Sequence, residues 1–346
     1  MDAAVIGGSG YTGGELLRLL LQHPDVELVG ATSQSLLGKP LHHAHPNLRG
    51  ATELRFAARD QVPDADVVFT CMPHGESQRV VPGLLETGHT VIDLAADYRL
   101  RDADVYRQWY GNAHATPELL AEAVYGLPEV SRAALPQARL VSGVGCFATA
   151  MNLALLPLAA AGMLDNTTVV VDGKIGSSAA GADTNPAGMH AARSRSLRLY
   201  APTEHRHVAE VQQVCHVTPH VSVHAVELVR GILATCHIML PGDAPDEKDL
   251  WGVYRDRYAK EPFIRIAKER AGIHRGPDPK LVAGSNFADV SFHAEPATGG
   301  RAGRIVATCA IDNLVKGAAG SAVQAMNVVV GLPETAGLTQ LPVHPQ

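Results

Sequence analysis

The sequence predicts an α/β protein: a Rossmann-like, doubly wound domain in the first half, followed by a mixed α+β domain. Three observations carry this. A glycine-rich turn at residues 7–14 separates a strand-like segment, residues 3–6, from an amphipathic helical one, residues 15–21. Buried-type strands then alternate with helical stretches, at residues 26–31, 66–71 and 90–94, which is the pattern of a parallel sheet. Beyond residue 146 the strand-like segments lose that alternation. They fall at residues 168–172, from Val223 through Glu227, Val229 and Gly231 to Leu240, at 287–292 and at 304–309.

Length and composition frame the reading. A chain of 346 residues can bury two substantial cores, and 46% hydrophobic against 18% charged residues excludes disorder. A net charge of −6 argues against non-specific nucleic-acid binding. Five scattered cysteines, an odd number, do not form a disulfide framework and point to a reducing cytoplasm. The start runs straight into a strand without a basic segment, so no signal sequence is expected. The longest apolar run, residues 151–164, is short and carries Asn152 and Pro157, so it reads as a core helix and not a membrane span.

Within the first turn Gly8, Gly10 and Gly13 satisfy GxGxxG, and Gly7, Gly10 and Gly13 satisfy GxxGxxG. Glycines there allow a tight turn and let the backbone approach a pyrophosphate at the helix start. The second strand ends in Thr32, Ser33, Gln34 and Ser35, with no carboxylate to accept from a ribose 2′-hydroxyl. Hydroxyl and amide donors suit a 2′-phosphate, so NADP is the expected cofactor. The next strand ends in Met72, Pro73, His74 and Gly75, a loop expected to lie over it.

Cys146 stands between small residues at the junction of a strand and an apolar helix. A thiol at a helix N-terminus meets the positive end of the dipole and unpaired N–H groups, which favour thiolate and can hold an oxyanion. A buried structural cysteine is the alternative. Residues 174–181, from Lys174 to Gly181, read either as a phosphate-receiving cluster or as a plain glycine-rich loop. A polar stretch, residues 183–199, carries Arg193, Arg195 and Arg198. A helix is expected to begin near His205 and to include Glu210, which puts His207 and Glu210 at i and i+3 with carboxylate beside imidazole. His205 and His207 would then point to different faces. No cysteine pair has zinc spacing, His42, His43 and His45 read as a surface loop, and no metal site is expected. A charged helix follows at residues 246–258. Asp312 to Gly317 opens a small-residue helix over 318–330, with Asn313 either a cap or a cofactor contact.

Taken together, GGSGYTGGELLRLL, the Gly145-Cys146 loop, KIGSSAAG, HRHVAEV, RGILAT and AIDNLVKGAAGSAVQAMN cover nearly the whole chain. In that order they closely resemble the acyl-phosphate reductases of arginine and lysine biosynthesis. That family comprises N-acetyl-γ-glutamyl-phosphate reductase and the carrier-protein-linked α-aminoadipyl-phosphate reductase. The resemblance implies a fold like that of glyceraldehyde-3-phosphate dehydrogenase. Residues 1–145 would bind NADP, completed by a helix at about 313–330, and residues 146–312 would serve catalysis and oligomerisation. It implies that Cys146 forms a thioester and that His207, with His205 and Glu210, is the acid–base region. Ser9, Gly10, Tyr11, Thr12 and Gly13, with Ser33, Gln34 and Ser35, would match the NADP-binding segments, and Asn313 a further NADP contact. The arginine branch typically reads Pro-Gly-Cys-Tyr-Pro-Thr, whereas here Val144, Gly145, Cys146, Phe147, Ala148 and Thr149 stand in line. That departure, with the polar stretch ending in residues 198–203, resembles the lysine branch; the arginine enzyme or a dual-function one is the alternative. The lysine branch implies an acidic carrier protein as partner, in a homodimer or homotetramer.

Overall fold

In the computed structural model, which describes residues 1–182, 184 and 186–345, the first strand, β1 (Asp2–Ile6), is buried from Ala3 onward. The chain leaves it at Gly7, whose φ of +79° an L side chain adopts only with strain. A Cβ at Gly7 would also stand 2.8 Å from the Cys71 carbonyl oxygen. The helix Tyr11–Leu20 follows, burying Leu16, Leu17, Leu19 and Leu20. Six more strands complete the sheet: β2 (Glu27–Thr32), β3 (Phe56–Ala57), β4 (Val67–Thr70), β5 (Thr90–Asp93), β6 (Val124–Tyr125) and β7 (Leu140–Ser142). Their order is β3-β2-β1-β4-β5-β7-β6, and every neighbouring pair is parallel. Short Val- and Ile-rich strands buried on both faces suit this arrangement. The chain turns to opposite sides of β1 to make β2 and β4, so the crevice at their carboxyl ends is the switch point where such sheets take ligands.

This unit spans residues 1–144 and 318–340. Its last helix, Gly320–Val329, is anchored by buried amides. Asn327 Oδ1 lies 3.0 Å from His23 Nε2, and Gln324 Nε2 donates to Glu129 and Glu334 at 3.2 and 2.8 Å. The expected single helix over 318–330 instead opens with a π turn, Val315–Ala319, before the α-helix begins.

The other unit comprises residues 145–317 and the tail from Leu341. At its centre is the helix Cys146–Ala160, buried continuously from Phe147 to Leu158. Pro157 has no N–H for the Leu153 carbonyl, an orphan that a buried helix must satisfy elsewhere. The Tyr258 phenol donates to that carbonyl at 2.7 Å, and Tyr254 donates to the Ala154 carbonyl at 2.6 Å. Both tyrosines come from the helix Glu247–Tyr258, capped by Asp246.

Around it lie β8 (Thr168–Ile175), β9 (Arg198–Ala201), β10 (His220–Ala225), β11 (Ile232–Met239), β12 (Ile264–Ile266), β13 (Ala288–Glu295) and β14 (Arg304–Ile311). They form a mixed sheet ordered β12-β13-β14-β11-β8-β10-β9, with β8–β10 and β12–β13 parallel and the other pairs antiparallel. Burial alternates along β8, β10, β11 and β14, so one face enters the core and the other stays half-open, with Val170 and Met239 exposed. The strand expected to run from Val223 to Leu240 is two strands. Glu227, Val229 and Gly231 lie in the loop between them, because that backbone pairs with residues 176–178 and Gly231 adopts φ +116°. Lys174 belongs to β8 and pairs with Asp172 at 2.8 Å. Asp183, which opens the polar stretch, lies outside the described residues.

Candidate active site

Gly145 is the N-cap and Cys146 the first residue of the central helix, so the thiol stands where helix N–H groups converge. The Gly145 N–H donates to Glu210 Oε2 at 2.8 Å, and the Ala148 N–H donates to His207 Nδ1 at 3.3 Å. Both side chains press on the same glycine. A Cβ at Gly145 would stand 2.2 Å from Glu210 Oε1 and 2.9 Å from His207 Nε2. On the other side, a Cβ at Gly317, in the π turn, would stand 2.7 Å from Cys146 Cβ. Cys146 itself is half-buried.

The histidines arrive differently from the expectation. The helix starts at Val208, so His205 and His207 lie in the turn ahead of it and do not diverge to separate helix faces. Their rings meet edge to face at 4.6 Å, and the His207 N–H donates to His205 Nδ1 at 3.3 Å. The His205 ring also meets Phe147 at 5.4 Å. Burial first, and Arg206 second, push the His205 pKa down to about 4. It is therefore neutral at pH 7. With Nδ1 accepting from Ala148, neutral His207 carries its proton on Nε2 and presents a donor there.

Tyr200, on edge strand β9, was not singled out by the sequence, since a four-residue strand shows no clear periodicity. Its hydroxyl lies 3.5 Å from His205 Nε2. Although the ring is exposed, desolvation of the hydroxyl by its neighbours and then Cys146 push its pKa up to about 12, so the phenol keeps its proton at pH 7.

Asn313 is buried within this same unit. Its Oδ1 accepts from the Gly231 N–H at 2.8 Å, and its Nδ2 donates to Ser178 Oγ at 2.9 Å. It thereby ties residues 177–178 to the loop before β11. The capping role falls to its neighbour Asp312, which accepts from Leu314, Val315 and Gly284 N–H groups and pairs with Arg230 at 3.1 Å.

In the first unit the structure gathers the expected dinucleotide segments at the crevice. Ser33 Oγ donates to Ser9 Oγ at 2.9 Å and lies 3.4 Å from Ser35 Oγ, so three hydroxyls from two loops form one cluster. Gly10 caps the following helix, Tyr11 and Thr12 open it, and a Cβ on Gly13 would stand 2.8 Å from Gly8. Gln34 is exposed and, with Ser33, Leu37, Arg59 and Val80, lines a cavity of about 540 Å³. Arg59 escaped the sequence reading because β3 is only two residues long; it pairs with Glu76 at 2.7 Å. His45 departs from expectation altogether, being buried with Nε2 2.7 Å from the Gly8 carbonyl oxygen. Among the described residues no cluster of His, Cys, Asp and Glu could hold a metal ion, and no helix is long and apolar enough to cross a membrane.

Comparison with known proteins places these features in a lineage. Residues 2–138 match the family model for the semialdehyde dehydrogenase NAD binding domain, and residues 146–313 that for the semialdehyde dehydrogenase dimerisation domain. A Thermomicrobium roseum protein named "Putative LysW-L-2-aminoadipate 6-phosphate reductase" is 51% identical over 351 residues, covering 100% of this chain and 99% of its own. A Pyrobaculum aerophilum protein, 48% identical over the full length of both chains, is named for both LysW-L-2-aminoadipate and LysW-L-glutamate phosphates. Among solved structures, aspartate semialdehyde dehydrogenase II of Vibrio cholerae aligns with a TM-score of 0.70 at 16% identity, covering 95% of this chain and 98% of that one. The Candida albicans enzyme with NADP aligns at 0.67 and 14%, covering 95% and 98%. At such identities these structures speak to the fold alone.

Proposed function

Because the chain belongs to the semialdehyde dehydrogenase family, we propose that it reduces a carrier-protein-linked L-2-aminoadipate 6-phosphate to the semialdehyde, using NADPH and a Cys146 thioester. The observation that carries this reading is Cys146 at the first position of a buried helix, with His207 and Glu210 both pressed on Gly145. The names of full-length relatives support the substrate, and the name of the Pyrobaculum relative favours a second reading in which carrier-linked glutamyl phosphate is also reduced.

The first unit would hold the cofactor. Helix N–H groups around Gly10, Tyr11 and Thr12 suit the pyrophosphate, and the Ser9, Ser33 and Ser35 hydroxyls can donate to a 2′-phosphate that a carboxylate would repel. When bound, the nicotinamide supplies the hydride that reduces the thioester.

The chain's own residues do the rest. Cys146 thiolate adds to the acyl carbon, the bond from that carbon to phosphate oxygen breaks, and inorganic phosphate leaves a thioester on Sγ. N–H groups of the helix start stabilise the oxyanion, and His207 presents its Nε2 proton to the same charge. Release of the semialdehyde breaks the C–S bond and returns its electron pair to Sγ. We read the half-open face of the second sheet as covered by a second copy, which the solution mass of the purified protein checks.

The deciding assay follows NADPH oxidation with carrier-linked aminoadipyl phosphate, carrier-linked glutamyl phosphate and free N-acetylglutamyl phosphate, repeated with NADH. Turnover of the carrier-linked compounds with preference for NADPH is expected. Turnover of the N-acetyl compound alone would move the enzyme to arginine synthesis. Equal efficiency with both cofactors would overturn the NADP assignment.

A further inference from the structure

We infer that His45 is a positioning residue for the cofactor: its Nε2–H pins the Gly8 carbonyl inward and thereby aims the Ser9 N–H at the crevice where the pyrophosphate is held. This rests on the dinucleotide reading given above and adds to it a residue from outside the glycine motif.

The geometry begins with what the turn has already spent. The Gly7 N–H donates to Thr32 Oγ1 at 3.3 Å and the Gly8 N–H to the Thr32 carbonyl at 2.9 Å. Both therefore face β2, and the next donor along the turn is that of Ser9. In a trans peptide the carbonyl and the following N–H point in opposite directions. The Gly8 carbonyl oxygen lies 2.7 Å from His45 Nε2, so the Ser9 N–H is turned the other way. A flip of that one peptide would replace a donor with a carbonyl oxygen, which repels phosphate.

His45 is built to hold this position. Two short 3-10 turns, Leu41–His43 and Pro46–Leu48, flank it; its N–H donates to the Leu41 carbonyl at 3.1 Å and its carbonyl accepts from the Leu48 N–H at 2.9 Å. The ring lies flush on Gly14, where a Cβ would come within 2.4 Å of Cε1 and Nδ1. Burial holds its pKa below the ordinary histidine value despite the Gly8 carbonyl, so the ring is neutral at pH 7. A neutral ring bonded to a carbonyl through Nε2 has its proton there.

The test measures NADPH affinity by direct titration, together with kcat and KM, in the full-length enzyme. His45→Phe keeps a ring against Gly14 but removes the donor. It should raise the NADPH Kd about tenfold and leave kcat at saturating NADPH within about twofold. His45→Gln, whose amide N–H can reach the same carbonyl, should recover most of the affinity. Gly14→Ala, which must push the ring away, should reproduce the His45→Phe defect. If the parent enzyme does not bind NADPH, the cofactor reading itself fails. If the parent binds and His45→Phe binds equally well, the reading stands and the positioning role is overturned. The role also falls if both His45 variants lose kcat, affinity and thermal stability together, since that marks a merely structural histidine.

Discussion

Cys146 and the two histidines ahead of Val208 are close enough to be confused in any assay that reports only loss of activity, yet their environments separate them. Cys146→Ser should keep the fold and NADPH binding while turnover drops by several orders of magnitude, because a serine hydroxyl without a dedicated base is a poor nucleophile. Near-parental turnover of that variant would end the covalent mechanism. For His205, with a pKa pushed from 6.5 to about 4, the sign is clear. The folded state favours the neutral ring while the unfolded chain takes up the proton near 6.5, so the stability this ring contributes is lost as pH falls from 6.5 towards 4, and it is no proton donor at pH 7. His205→Asn should therefore leave any limb of the kcat profile between about pH 5 and 8 in place. His207→Asn should lower kcat with little change in NADPH affinity. Removal of that limb by His205→Asn instead would reverse the two roles.

The next scale is the pair of elements that meet at Cys146, the start of the central helix and the π turn Val315–Ala319. A π turn inserted ahead of an α-helix often marks a functional site, and here it brings Gly317 against Cys146 Cα and Cβ, 3.1 and 2.7 Å from where a Gly317 Cβ would be. Gly317→Ala has no flexible side chain to push aside, so Cys146 itself must shift. We expect a stability loss of about 1–3 kcal/mol, read from denaturant melts, and a larger proportional loss of kcat. Unchanged kcat in that variant would show that the position of Cys146 is not set from this side. Much at this scale was legible in the sequence where the signal is local. The glycine turn between β1 and its helix, the buried strands β4 and β5, and a cysteine heading an apolar run all follow from nearest-neighbour patterns. What stayed hidden depends on distant partners. The close approach of Gly317 needs the chain to return over a hundred residues later. His45 looks like a surface loop until Gly14 offers it a seat, and the segment ahead of Val208 is a turn, closed by the Val208 N–H on the His205 carbonyl, whose His207 reaches Ala148 far along the chain. Tyr200 and Arg59 sit on or beside strands too short to announce themselves.

For the molecule as a whole, the unresolved demand is delivery: if the substrate arrives on an acidic carrier, a chain of net charge −6 must offer that partner a local positive surface. On the second unit Arg193 and Arg195 precede, and Arg198 opens, the edge strand that carries Tyr200, but the three are not equivalent. Arg193 donates to the Ile175 carbonyl at 3.1 Å, and burial followed by Arg198 lowers its pKa, so part of its work is to hold the loop against the end of β8. Arg195 is exposed, and Arg198 is half-buried on β9. The cleaner probe of docking is therefore Arg195→Ser with Arg198→Ser, leaving Arg193 in place. Rim charges act mainly on encounter, so this double variant should raise KM for the carrier-linked substrate several-fold and leave reduction of a small free acyl phosphate nearly unchanged. Added salt should shrink the difference, because exposed charges are screened beyond about 8 Å at physiological ionic strength. An equal rise in KM for the small substrate would mean that the arginines serve the reacting group itself. An unchanged KM for the carrier-linked one would mean that the carrier docks elsewhere.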